Sequence, residues 1–114
     1  MSLIHEAPVF QIMYDVLKEF HLARRSFSKA EKYTLGETIE HTGLDALCSI
    51  IEAGQLKREW KVPAIDRAQL SLERMKILLR LAHDLQEVSE RRYLDLQEML
   101  AKAGRMLGGW KKSL

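Results

Sequence analysis

Between Pro63 and Val88 the apolar residues fall on two lines of a helix rather than one. Ile65, Ala68, Leu72, Met75, Leu79 and Ala82 recur in a heptad-like 3-4-3-4-3 pattern, one buried stripe. Leu70, Ile77, Leu81 and Val88, spaced 7, 4 and 7, point roughly the opposite way at 100° per residue. Leu78 and Leu85 fill the space between, so the apolar arc exceeds half the circumference. Two arrangements accommodate such a helix. It can be the central element of a thick intramolecular core, or its second face can be covered by another subunit. A chain of 114 residues builds one domain with a single core, which favours the subunit interface.

Three other segments carry helical periodicity, and none shows strand alternation. The first runs from about Pro8 to Ser26, with Val9, Ile12, Met13, Val16, Leu17, Phe20 and Ala23 as its stripe. Ser28 with Glu31 reads as a capping box that opens the second, which continues to about Lys57. Leu35, Ile39, Ala46, Ile50 and Ala53 are its core positions. Gly36, Gly43 and Gly54 share one line of it, as they would where another helix approaches closely. Lys57 to Val62 reads as a connection, with Pro63 in the first turn of the doubly apolar segment that ends near Glu87. Ser89 caps the last segment, Glu90 to Lys112. Its stripe is Leu96, Met99, Leu100, Ala103, Met106, Leu107 and Trp110, with Gly104 and Gly108 on a flank. The expectation is an all-α fold, an up-down-up-down four-helix bundle forming a single domain over residues 1–114.

Several chemistries lack their residues. One cysteine, Cys48, excludes an internal disulfide and a four-cysteine zinc site, and it reads as a small buried or half-buried apolar residue. None of the four histidines follows a glutamate by three residues, so the paired Glu-x-x-His of di-iron bundles is missing. Glu37 and His41 share a face, as surface pairs do. No phosphate loop, nucleophile elbow or dinucleotide fingerprint occurs. The expectation is a non-enzyme with no cofactor and no metal. No apolar run reaches the ~20 residues of a membrane span, and no signal-peptide pattern opens the chain; both favour a cytoplasmic protein.

Charge is the remaining signal. The chain carries +2 in total, but residues 1–56 hold five basic and eight acidic residues, a net −3. Residues 57–114 hold thirteen and eight, a net +5. Arg67, Arg74, Lys76, Arg80, Arg91, Arg92, Lys102, Arg105, Lys111 and Lys112 are therefore candidates for a phosphate-binding surface. An ordinary mixed-charge helical surface is the competing reading. Trp60, among Lys57, Arg58 and Lys61, is either a stacking platform for a base or a plug in the connection.

Two segments carry a resemblance. One is Glu31-Lys32-Tyr33-Thr34-Leu35-Gly36, continuing to Ile51-Glu52-Ala53-Gly54. The other is Leu100-Ala101-Lys102-Ala103-Gly104-Arg105-Met106-Leu107-Gly108-Gly109-Trp110. Together they resemble the four-helix-bundle family of Avd, the accessory variability determinant of diversity-generating retroelements. That family also includes proteins encoded within intervening sequences of bacterial ribosomal RNA genes. The resemblance implies a ring-shaped homopentamer without catalytic activity. For the retroelement branch it implies association with a reverse transcriptase and with template RNA. The ribosomal intervening-sequence branch implies a structural or protein-interaction bundle instead. Retroelement members are strongly basic; at +2 this chain is expected to bind nucleic acid less tightly on its own.

Overall fold

The computed structural model describes residues 7–114, so residues 1–6 of the expected domain lie outside it. The helices are α1 (Pro8–Arg24), the single turn α2 (Lys29–Lys32), α3 (Leu35–Gln55), α4 (Arg58–Asp84) and α5 (Glu90–Lys112). The four long ones stand side by side in the cyclic order α1, α3, α4, α5, with α1 and α4 on one diagonal. Arg24 and Leu17 of α1 meet α3 at Gly36 and Gly43, Met75 and Lys61 of α4 meet it at Gly43 and Ala53, and Leu72 and Gln69 of α4 meet α5 at Gly104 and Gly108, so chain direction alternates. This is the up-down-up-down bundle, 44 Å long and about half as wide.

The stripes read from the sequence converge on one core. Met13, Val16 and Phe20 meet Ile39, Ala46 and Ile50 of α3, Leu72, Met75 and Leu79 of α4, and Leu96, Leu100 and Leu107 of α5, all fully buried. Gly43 sits where α1, α3 and α4 pack closely. A Cβ there would sit 2.8 Å from the Leu17 Cδ2 and 3.0 Å from the Met75 Cε. Gly104 and Gly108 are different: their nearest neighbours would be 3.6 and 4.0 Å away, so α5 does not need glycine to approach α4.

Three boundaries differ from the sequence expectation. Ser28 forms no capping box. Its backbone N–H and its hydroxyl instead donate to the Glu87 carboxylate, at 2.6 and 3.0 Å, so a distant residue fixes the α1–α2 turn. The second segment is broken at Tyr33 and Thr34, where the Thr34 hydroxyl turns back to the Ala30 carbonyl at 3.1 Å. Third, α4 begins at Arg58, so Arg58–Val62 is helix rather than connection and Lys57 is its N-cap. Pro63 is therefore its sixth residue and removes the amide that would serve the Glu59 carbonyl. Tertiary ties hold that first turn in place. Arg58 donates to the Ser113 and Leu114 carbonyls at 3.1 and 3.0 Å, and Lys61 donates to the Ala53 carbonyl at 2.7 Å.

The turn after α4 is tightly specified. Gln86 has φ 63°, the left-handed conformation. Its N–H reaches the His83 carbonyl and the Glu87 N–H reaches the Ala82 carbonyl, both at 2.9 Å, which is a Schellman motif. The Ser89 hydroxyl then accepts the Arg92 amide, the cap expected for α5.

Candidate functional site

Leu70, Ile77 and Leu81 stand on the outward face of α4 with 55%, 67% and 45% of their surface exposed. Leu85, just past the end of α4, and Trp60, in its first turn, are also exposed, so Trp60 plugs nothing. The apolar second stripe is thus an uncovered surface of the chain. Val88 does not belong to it. Because α4 stops at Asp84 and Gln86 reverses the backbone, Val88 turns inward and is only 7% exposed. Its place is the intramolecular core.

The ten basic candidates do not form one patch. Arg67 and Arg74 line the α3–α4 groove with Asp45, Cys48 and Glu52, and Arg67 is paired to Glu52. Lys76 lies on the other flank of α4, beside Gly104 and 3.3 Å from Glu73, and Arg80 is 4.0 Å from Asp84. The apolar line separates these two groups. Arg92 borders the α1–α5 groove and donates to the Glu19 carbonyl at 3.4 Å. Lys111 is held by Asp66 at 2.8 Å. Arg91, Arg105 and Lys112 remain on the outer side of α5 and Lys102 lines the edge of the α1–α5 groove, all four without a carboxylate partner among the described residues, though Asp95 and Glu98 interleave with them. The α1–α5 groove mixes Asp15, Glu19, Asp95 and Glu98 with Lys18, Arg92 and Lys102.

Around Trp60 two of the three cations, Arg58 and Lys61, are committed to structure. Arg58 and Lys61 tie helix ends together, and the Lys61 ammonium also lies 5.7 Å from the Trp110 ring centroid. A different cationic cluster, on none of the candidate residues, lies where α1 gives way to α2 and α3. His21, Arg24, Arg25, Lys32 and Tyr33 line a depression of 250 Å³ there. Counting charge by halves conceals it, because it lies in the acidic half. The signal available was the adjacency of Arg24-Arg25 and Lys32-Tyr33 across one short turn.

Among the described residues, no three His, Cys, Asp or Glu side chains come together as metal ligands. Cys48 is exposed on α3, contrary to the buried or half-buried position expected of it. Two histidines find carboxylates: His21 lies 3.1 Å from Glu40, which Arg24 shares, and His83 lies 3.0 Å from Glu90 and 3.8 Å from Asp84. No described helix is long and apolar enough to cross a membrane.

A protein-family model described as bAvd-like matches residues 9–114, which is α1 to the end of the chain. No curated protein matches it significantly. The match spans every long helix of the bundle and both segments that carry the resemblance to Avd; the chain belongs to the bAvd-like family.

Proposed function

We propose that this protein is a non-catalytic accessory subunit of a diversity-generating retroelement. On this reading it is a single-domain cytoplasmic protein that associates with a reverse transcriptase and its template RNA. It acts as an oligomeric ring, a homopentamer, closed by the outward face of α4 against a second copy. The observation that carries the reading is the uncovered line of Leu70, Ile77 and Leu81 on a chain whose family membership extends over residues 9–114. Fully burying a Leu or Ile contributes about 1.5–3 kcal/mol, so a half-exposed row of them is a costly surface to leave in water. A ring repeats the cations on the outer side of α5 once per subunit, which raises the local positive potential without a high charge per chain. No cofactor enters this reading.

Affinity purification of a tagged copy from cells carrying the native locus tests it. Recovery of the reverse transcriptase with its template RNA is the expected result; a chain recovered without either would overturn the reading.

One observation favours the second branch of the resemblance, a bundle that binds protein and not nucleic acid. Four carboxylates and three cations line the α1–α5 groove, a surface suited to a polar protein partner and poor for phosphate. RNA binding that falls steeply with salt would count against this second reading.

A further inference from the structure

All five basic residues of the acidic half, Lys18, Arg24, Arg25, Lys29 and Lys32, fall within a single stretch of fifteen residues. The fold brings this stretch back on itself at the end of the bundle opposite the C-terminus of α5. The Arg24 guanidinium is the fixed point. Its Nε donates to the Lys32 carbonyl at 2.8 Å and its Nη1 to the Glu40 carboxylate at 3.3 Å. It lies 5.7 Å from the Tyr33 ring centroid. Tyr33 itself is 68% exposed. Arg25 and Lys32 border the same depression, and among the described residues neither has a carboxylate at ion-pair distance.

This combination selects among ligands. Two uncommitted cations suit any anion, but an acidic peptide would leave the aromatic ring unused. A base pair inside a duplex cannot reach the ring, because its faces are already stacked. A single-stranded nucleotide uses both features, with its base on the aromatic face and its phosphates on the cations. We propose that the depression lined by Arg25, Lys32 and Tyr33 binds a nucleotide of single-stranded RNA, the base stacked on Tyr33 and the adjoining phosphates on Arg25 and Lys32. The inference rests on the nucleic-acid side of the proposed function and places a contact in the segment Glu31-Lys32-Tyr33-Thr34-Leu35-Gly36, remote from the outer face of α5. It also gives Gly36 a role. A Cβ there would lie 3.1 Å from the Arg24 Cγ and 3.3 Å from its Nε, so glycine is what lets Arg24 cross α3 beneath the ring.

Fluorescence anisotropy of a short, unstructured, fluorescein-labelled RNA with the full-length protein tests the site. Tyr33→Ala weakens binding by about tenfold and leaves the salt slope unchanged, since stacking releases no counterions. Tyr33→Phe binds like the parent, because stacking needs the ring and not the hydroxyl. Arg25→Gln combined with Lys32→Gln lowers the slope of log affinity against log salt by about 1.4, two phosphates at about 0.7 each. All three positions face solvent or border an open depression, so wild-type helicity by circular dichroism is expected of each variant. Parental RNA binding by Tyr33→Ala and by the double variant overturns the proposal. If Arg91→Gln with Arg105→Gln then loses binding, the outer face of α5 is the RNA site. Absence of RNA binding by the parent also overturns the proposal, while recovery of the reverse transcriptase on purification would leave the accessory reading standing. Variants that keep RNA but lose a protein partner would assign the depression to protein and overturn the proposal too.

Discussion

Arg24 crosses α3 at Gly36, and the missing side chain of Gly36 is what allows its Nε to reach the Lys32 carbonyl 2.8 Å away. Gly36→Ala would bring a methyl group within 3.3 Å of the Glu31 carbonyl oxygen as well as against Arg24. The arginine can swing away, but the backbone carbonyl cannot do so cheaply. The expected cost is about 1–2 kcal/mol in chemical denaturation, at the low end of overpacking penalties. Circular dichroism checks that the bundle is retained.

Glycines on α3 and α5 should respond with opposite sign. At Gly43 an added methyl meets Leu17 at 2.8 Å, so Gly43→Ala is expected to destabilise by about 1 kcal/mol after its helix-propensity gain. At Gly104 the same methyl finds ordinary van der Waals distances. Gly104→Ala should therefore stabilise by about 0.5–1 kcal/mol. Urea midpoints of the two variants decide the matter.

Gln86 occupies the left-handed position of the Schellman motif after α4. A side chain costs about 1–2 kcal/mol in that region, partly offset because glycine loses more chain entropy on folding. Gln86→Gly is expected to raise the unfolding free energy by about 0.5–1 kcal/mol, read as a higher urea midpoint at unchanged slope.

The architecture was legible where a pattern is local. Ser89, the Leu96–Leu100–Leu107 stripe and the terminal lysines gave α5 its observed bounds, because cap and stripe lie within one element. Errors arose where distant groups decide. Ser28 looked like a helix cap, but its partner is Glu87, 59 residues away. Pro63 looked like a first-turn proline, but Arg58 and Lys61, anchored on the C-terminus and on α3, extend the helix before it. Val88 continued the spacing of Leu70 and Ile77 on paper, and a single left-handed residue sent it into the core. The candidate basic residues were legible as charges but not as a surface. The pairing of Arg67 with Glu52 and of Lys111 with Asp66 depends on which helices adjoin.

Ile77 separates folding from assembly. It is 67% exposed in the chain, so Ile77→Asp should leave helicity and monomer stability within about 0.5 kcal/mol of the parent. At a subunit interface the same change buries an unpaired carboxylate and should dissociate the oligomer. Ile77→Leu, which keeps the volume, should assemble normally. Sedimentation velocity compares the three proteins directly.

The most direct test of the accessory role is a mass measurement by light scattering on the purified chain, alone and mixed with the reverse transcriptase of its own locus. The account predicts a mass several times the 13.2 kDa of one chain when alone, about five times for a pentameric ring, and a single heavier species that contains both proteins when mixed. Elution of the chain at 13.2 kDa in both samples, with the polymerase separate, would contradict it.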